Sequence, residues 1–181
     1  VHELAHALVA RRFGVEIREI RLWILGGIAQ FSEMPKQPRA EAIVAIAGPI
    51  ASVLLGLGFG AVLTLVPASA GAAAVVVSYL AAVNVALAVF NLLPALPMDG
   101  GRVLRSLLAT RLDRLRATRI AAAISRFLAI AMGLFGLWSL NLFLVAIAFF
   151  VWIAVQAETQ HETIQRALAD VRVRDLMTSE V

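Results

Sequence analysis

Val1-His2-Glu3-Leu4-Ala5-His6-Ala7 opens the chain with the pattern H-E-x-x-H inside an apolar run. Residues four apart share one face of a helix, so a helical reading aims His2 and His6 at one ion. Glu3 sits one step round, where it reaches a water at that ion without being a ligand. Two neutral imidazoles suit zinc, Zn2+, and a catalytic zinc takes three protein ligands and keeps one position open. One more ligand must therefore come from elsewhere. The foremost candidate is Asp99, in Asn91-Leu92-Leu93-Pro94-Ala95-Leu96-Pro97-Met98-Asp99-Gly100-Gly101. Each assignment has a plainer alternative. The histidines also read as a buried, hydrogen-bonded pair, and Asp99 alone reads as the cap of a helix starting at Gly100.

The surrounding composition decides what solvent this motif sits in. The 181 residues are 61% hydrophobic and only 15% charged, well away from soluble-domain averages. No charged residue occurs from 42 to 98, nor from 127 to 157. Runs of that length are membrane spans, and they exclude a soluble metalloenzyme. With no cysteine, neither a disulfide framework nor a thiolate metal site is available. The net charge of +4 comes from arginines beside the apolar runs. It is therefore topological, and nucleic acid is not a partner. No signal peptide is visible. Residue 1 already lies inside the metal-binding helix, so the chain reads as a fragment missing its upstream part.

Residues 1–13 read as the C-terminal part of a transmembrane helix, with Arg11 and Arg12 at its exit and Gly14 as its stop. Residues 15–31 then interleave Val15, Ile17, Ile20, Leu22 and Ile28 with Glu16, Arg18, Glu19 and Arg21. That alternation, with a turn at Gly26-Gly27, predicts a small sheet or hairpin at the membrane surface; the plainer alternative is an interfacial loop. A polar cytoplasmic connector, 32–41, leads to spans at 42–66, 72–93, 120–138 and from the turn at 139–141 to 157. The last apolar stretch is slightly short for two helices across a core of about 30 Å, which leaves one of them short of a full crossing. Gly48-Pro49 should bend the first of these spans or allow close approach, and Gly56, Gly58 and Gly60 favour close packing. Asn84 and Asn91 share a face, where packing against each other is the plain reading. Pro94 and Pro97 stop regular helix, so Asp99 comes from an unwound segment. A short helix follows over 102–112.

Charge tests this path. Segments 67–71 and 139–141 contain no lysine or arginine, while every connector that contains them falls on the other side. That is the positive-inside pattern. It puts His6 shortly before Arg11 and Asp99 shortly before Arg102, both near the cytoplasmic end. The fold class is an all-α polytopic membrane protein: a bundle of about five visible transmembrane helices with a small membrane-surface β-sheet. Residues 1–157 form the core and 158–170 a cytoplasmic linker with His161 on its surface. Residues 171–181 begin a further domain.

H-E-x-x-H in a membrane helix, followed much later by N-x-x-P-x-x-P-x-D-G-G, resembles the site-2 protease family of intramembrane zinc metalloproteases, peptidase M50 type. Gly26-Gly27-Ile28-Ala29 and Ala47-Gly48-Pro49 resemble further stretches of that family, and the resemblance covers most of residues 1–157. Val173-Arg174-Asp175-Leu176-Met177-Thr178 resembles the opening of a cystathionine-β-synthase (CBS) domain. The first resemblance implies a six-helix type with at least one more transmembrane helix upstream. It implies zinc on His2, His6 and Asp99, Glu3 as general base, and Asn91 holding the substrate or stabilising the oxyanion. Ser52 stands where relatives often have asparagine.

The implied activity is that of a zinc metalloendopeptidase. It would hydrolyse peptide bonds within or next to transmembrane segments of membrane protein substrates (regulated intramembrane proteolysis). The implied setting is the lipid bilayer of a prokaryotic cell, with the active site toward the cytoplasm. The CBS resemblance implies an adenine nucleotide as a partner, or a tether for a homodimer. Two other classes stand beside this one: an inactive membrane pseudoprotease and a metal-ion transporter. Transporters usually show internal repeats with paired broken helices, and neither motif has a second copy in this sequence. Zinc-dependent peptide cleavage separates both from the protease.

Overall fold

The first motif lies on an 11-residue helix, α1 (His2–Arg12). Its end is built by Gly14, whose φ of 76° is left-handed. The Gly14 N–H donates to the Arg11 carbonyl at 3.1 Å and the Val15 N–H to the Ala10 carbonyl at 3.2 Å. This is the Schellman arrangement, which occupies carbonyls that a helix end leaves unpaired. The computed structural model describes residues 1–15, 17–23, 26–31, 37–67 and 70–169. After α1, strands β1 (Ile17–Trp23) and β2 (Gly26–Phe31) pair antiparallel, with Trp23 opposite Gly26. Five helices follow: α2 (Pro38–Leu65), α3 (Ala72–Asn91), α4 (Asp99–Ala109), α5 (Arg114–Trp138) and α6 (Leu142–Ala169).

Among the described residues, 4 helices are long and apolar enough to cross a membrane: α2, α3, α5 and, over Leu142–Gln160, α6. The expected count of five included α1 as the C-terminal part of a span. Its 11 residues, about 16 Å, are too few to be counted by length on their own. The last two spans are also longer than their apolar runs. Helix α5 starts at Arg114, not near 120, where the Asp113 carboxylate accepts from the Leu115 N–H at 3.2 Å. Helix α6 continues through the polar stretch to Ala169, so the linker drawn at 158–170 is helical over nearly all its length. Both helices have the length to cross. Backbone hydrogen bonding continues past the point where the side chains turn polar. Helix α2 likewise runs on through Pro49. The CBS-like stretch within 171–181, most of the connector at 32–36 and the His161 side chain lie outside the described residues.

The exterior is apolar and the interior is partly polar. Leu54, Leu57, Phe127, Phe149 and Trp138 are exposed, while His2, His6, Glu41, Ser52, Asp99, Arg105 and Ser125 are buried. Water would sort these residues the other way; a bilayer sorts them like this. Helix α2 packs against α1, α3 and α4; α4 in turn packs against α5, and α5 against α6. Gly56 of α2 is buried against Val85 of α3, whereas Gly58 and Gly60 meet nothing.

The segment at 92–98 is anchored in the apolar core. Ala95, Leu96 and Met98 pack with Ala121, Ala122 and Ala129 of α5 and with Val151 and Val155 of α6. Its backbone has no helix to bond to, yet the buried Leu96 N–H donates to Ser125 Oγ at 2.8 Å, and Ser125 donates to the Ala121 carbonyl at 2.7 Å. A buried N–H without such a partner would cost about 1–3 kcal/mol. Ser125 thus fixes the break that delivers Asp99.

Candidate metal centre

One stripe of α2 builds the site. Glu41, Val44, Gly48, Ser52 and Gly56 recur at helical spacing and all are buried. Helix α1 lies along this stripe in the opposite direction. His6 Nδ1 donates to the Val44 carbonyl at 2.7 Å, and His2 Nδ1 lies 2.9 Å from Ser52 Oγ. Between them stands Gly48. A Cβ there would come to 2.7 Å from His2 Nε2 and would overlap His6 Nε2. Only glycine lets the two imidazoles lie this close to α2.

Asp99 arrives from the other side. It is the first residue of α4, which is capped by Met98. It is therefore neither presented from an unwound segment nor the helix cap, as the two sequence readings had it; the unwound part ends one residue earlier. Its carboxylate stands in the first helical turn, where the helix dipole favours negative charge. The glycines that follow let α4 start against the broken segment. A Cβ on Gly100 would overlap the Leu92 and Leu93 carbonyl oxygens, and one on Gly101 would overlap the backbone of Ala95 and Leu96.

The result is a triangle of ligand atoms. Asp99 Oδ2 is 3.1 Å from His2 Nε2 and 3.1 Å from His6 Nε2, and the two nitrogens are 3.2 Å apart. A tetrahedral ion with bonds of about 2.0–2.1 Å holds its ligand atoms about 3.3–3.4 Å apart. The observed triangle is close to that size. Its chemistry fits a cation as well. A carbonyl oxygen only accepts, so His6 Nδ1 carries the proton, and a neutral ring then presents a lone pair at Nε2. That lone pair faces a carboxylate oxygen, which is also an acceptor. Two acceptors meet stably at this distance when a positive charge lies between them. All three side chains are buried, with 9%, 6% and 7% of His2, His6 and Asp99 exposed, and they are the His/Asp group able to hold a metal among the described residues. Two nitrogens, one oxygen and no sulfur suit zinc.

Glu3 is half-buried on the same helix, one residue from His2. Asn91 is not drawn into the cluster. It ends α3, and its amide donates to the Leu87 carbonyl of its own helix at 2.9 Å. Asn84 does the same to Leu80 at 2.8 Å, so each asparagine bonds back to its own helix. Ser52, whose role the sequence left open, is the partner of His2. Such partners fix tautomer and ring orientation, and losing one typically costs 10–100-fold in metal affinity. Ser52→Ala is expected to weaken zinc binding by about 10–100-fold, read by chelator competition. Unchanged affinity would show that His2 is oriented by packing alone.

The family model of peptidase family M50 matches residues 1–75 and 66–135. A zinc metalloprotease of Methanocaldococcus jannaschii is 35% identical over 178 residues, which are 98% of this chain and 52% of that protein. Rip3 of Mycobacterium tuberculosis is 38% identical over 190 residues, 99% of this chain and 48% of its own length. The chain thus spans about half the length of the curated relatives it matches. The solved site-2 protease of Methanocaldococcus jannaschii superposes with a TM-score of 0.71 at 38% identity, covering 87% of this chain and 72% of that one.

Proposed function

The chain belongs to peptidase family M50, and from that premise we propose that it is the core of an integral-membrane zinc metalloprotease. The convergence of His2 Nε2, His6 Nε2 and Asp99 Oδ2 at 3.1–3.2 Å carries this reading. These three residues would hold the zinc, which when bound acidifies a water and polarises the scissile carbonyl. Glu3, one step round α1, accepts the proton of the attacking water and hands it to the leaving amine. The helix dipole of α4 and the Val44 and Ser52 partners keep the ligand set in place through the reaction. Asn91, at the end of α3, offers its second amide N–H to the substrate backbone.

The substrate is a membrane-spanning protein segment, locally unwound because a peptide bond inside a helix is shielded. An outer edge of the β1–β2 hairpin receives it by strand addition. The site opens toward the cytoplasm of a prokaryotic cell, in keeping with the arginines at 11, 12, 102 and 105 beside both arms of the centre.

The test is cleavage of a membrane-spanning protein by the full-length protein in proteoliposomes. Cleavage should stop with a zinc chelator and return with added zinc. Hydrolysis that survives complete removal of metal would sink the proposal. Zinc flux without cleavage would identify a transporter, and zinc binding with neither would identify a pseudoprotease.

A further inference from the structure

A second polar cluster lies two turns from Gly48 along the same stripe of α2. Arg105 of α4 is buried, with 3% exposed, and so is Glu41 of α2, also 3%. Arg105 Nε donates to Glu41 Oε1 at 3.0 Å, and its Nη2 donates to the same oxygen. Arg105 Nη1 reaches Glu158 Oε1 of α6 at 3.0 Å, and Arg114 Nη2 of α5 lies 3.5 Å from Glu41 Oε2. The metal reading does not use this cluster.

Its placement gives it a role. Helix α4 runs antiparallel to α2 and touches it at two polar levels. Asp99 meets the histidines beside Gly48, and Arg105 meets Glu41 about 9 Å further along the axis. The interval from 41 to 48 on α2 is about 10.5 Å and that from 99 to 105 on α4 about 9 Å, near enough for side chains to make both contacts in one register. An arginine that brings two N–H groups to one buried carboxylate oxygen tolerates little sliding or rotation of one helix past the other. Buried ion pairs are poor stabilisers, and their best-attested use is to specify register. Helices α5 and α6, which carry none of the three metal-binding residues, brace the same arginine and glutamate from the far side.

We propose that Arg105, held by Glu41, is a positioning residue that sets the register of α4 on α2 and so the depth at which Asp99 meets His2 and His6. The proposal rests on the metal reading above. It predicts that the pair tunes the centre without touching metal or substrate.

The experiment uses full-length protein in detergent. It measures zinc affinity by chelator competition, the d–d absorption of the cobalt(II)-substituted protein, and the unfolding temperature. Glu41→Gln and Arg105→Lys are expected to lose about tenfold in zinc affinity, the low end of the range for a partner bonded to a ligand, because the pair acts on Asp99 only through the placement of α4. Both should weaken the cobalt band as the tetrahedral ligand set distorts. Val145→Ala, which removes a contact between α6 and Gly136 of α5 near the turn at 139–141, far from segment 92–98 and from α4, should lower the unfolding temperature and leave affinity and spectrum unchanged. The proposal is overturned if the two polar variants behave like Val145→Ala. Glu41→Gln keeps the size of the side chain but removes its charge and leaves Arg105 and Arg114 one oxygen where they had two, and it decides the matter where Arg105→Lys does not fold. Failure of the unmodified protein to bind one zinc per chain would instead overturn the metal reading.

Discussion

Gly48→Ala is expected to empty the metal centre while leaving its helix intact. Two effects oppose each other at this position. Alanine in a helix interior is favoured over glycine by roughly 1 kcal/mol, so propensity alone predicts a more stable protein. The added Cβ, however, would come to 2.7 Å from His2 Nε2 and would overlap His6 Nε2. Overpacking of a close-packed site costs about 1–3 kcal/mol. Here the atoms that must yield are the ligand nitrogens themselves, held from behind by Ser52 and the Val44 carbonyl. Both rings cannot move away and keep those bonds. Zinc affinity should therefore fall by more than the roughly 100-fold that loss of an outer partner costs, and proteolysis should fall with it. Metal analysis and thermal unfolding of the purified variant check this. Full zinc content together with a raised unfolding temperature would show that the clash is absorbed elsewhere.

Glu3→Gln separates chemistry from binding. Glutamine keeps the size and polarity of the side chain but cannot accept the water's proton at neutral pH. The triangle of His2, His6 and Asp99 does not include Glu3, so zinc content should remain at one per chain. A positioned base contributes about 10²–10⁴-fold to rate, and the variant should lose at least that much of its turnover. Cleavage of a membrane-spanning substrate at equal zinc loading is the measurement. Undiminished hydrolysis would mean that another group takes the proton.

The two histidines were legible because their residue type and spacing announce them, four apart on a helix and pointing one way. Asp99 by itself read better as a helix cap, and only the resemblance of Pro94, Pro97 and the two glycines to the family motif singled it out as a ligand. The charge pattern placed both arms near the same end of the bundle. What stayed hidden depends on distance in the chain and on backbone. Ser52 lies 50 residues from His2, and a serine in an apolar helix looks like any small packing residue. The Val44 carbonyl has no residue type at all. Gly48 and Pro49 read as a bend or a close approach; the structure has the close approach, and what the sequence did not show is that the two imidazoles are what comes close to Gly48. Glu41, at the end of the polar connector, and Arg105, inside the short helix over 102–112, are 64 residues apart, and only the packing of α4 on α2 buries them together. Span boundaries followed charge, but α5 and α6 follow hydrogen bonding and carry on into polar sequence.

The central claim is that His2, His6 and Asp99 hold one zinc. X-ray absorption at the zinc edge of the full-length protein tests it most directly, with Asp99→Ala measured alongside. The predicted shell is two imidazole nitrogens and a carboxylate oxygen at about 2.0–2.2 Å, at one zinc per chain, with the carboxylate contribution gone in Asp99→Ala. A protein that retains no zinc, or one whose shell is unchanged by Asp99→Ala, would contradict it.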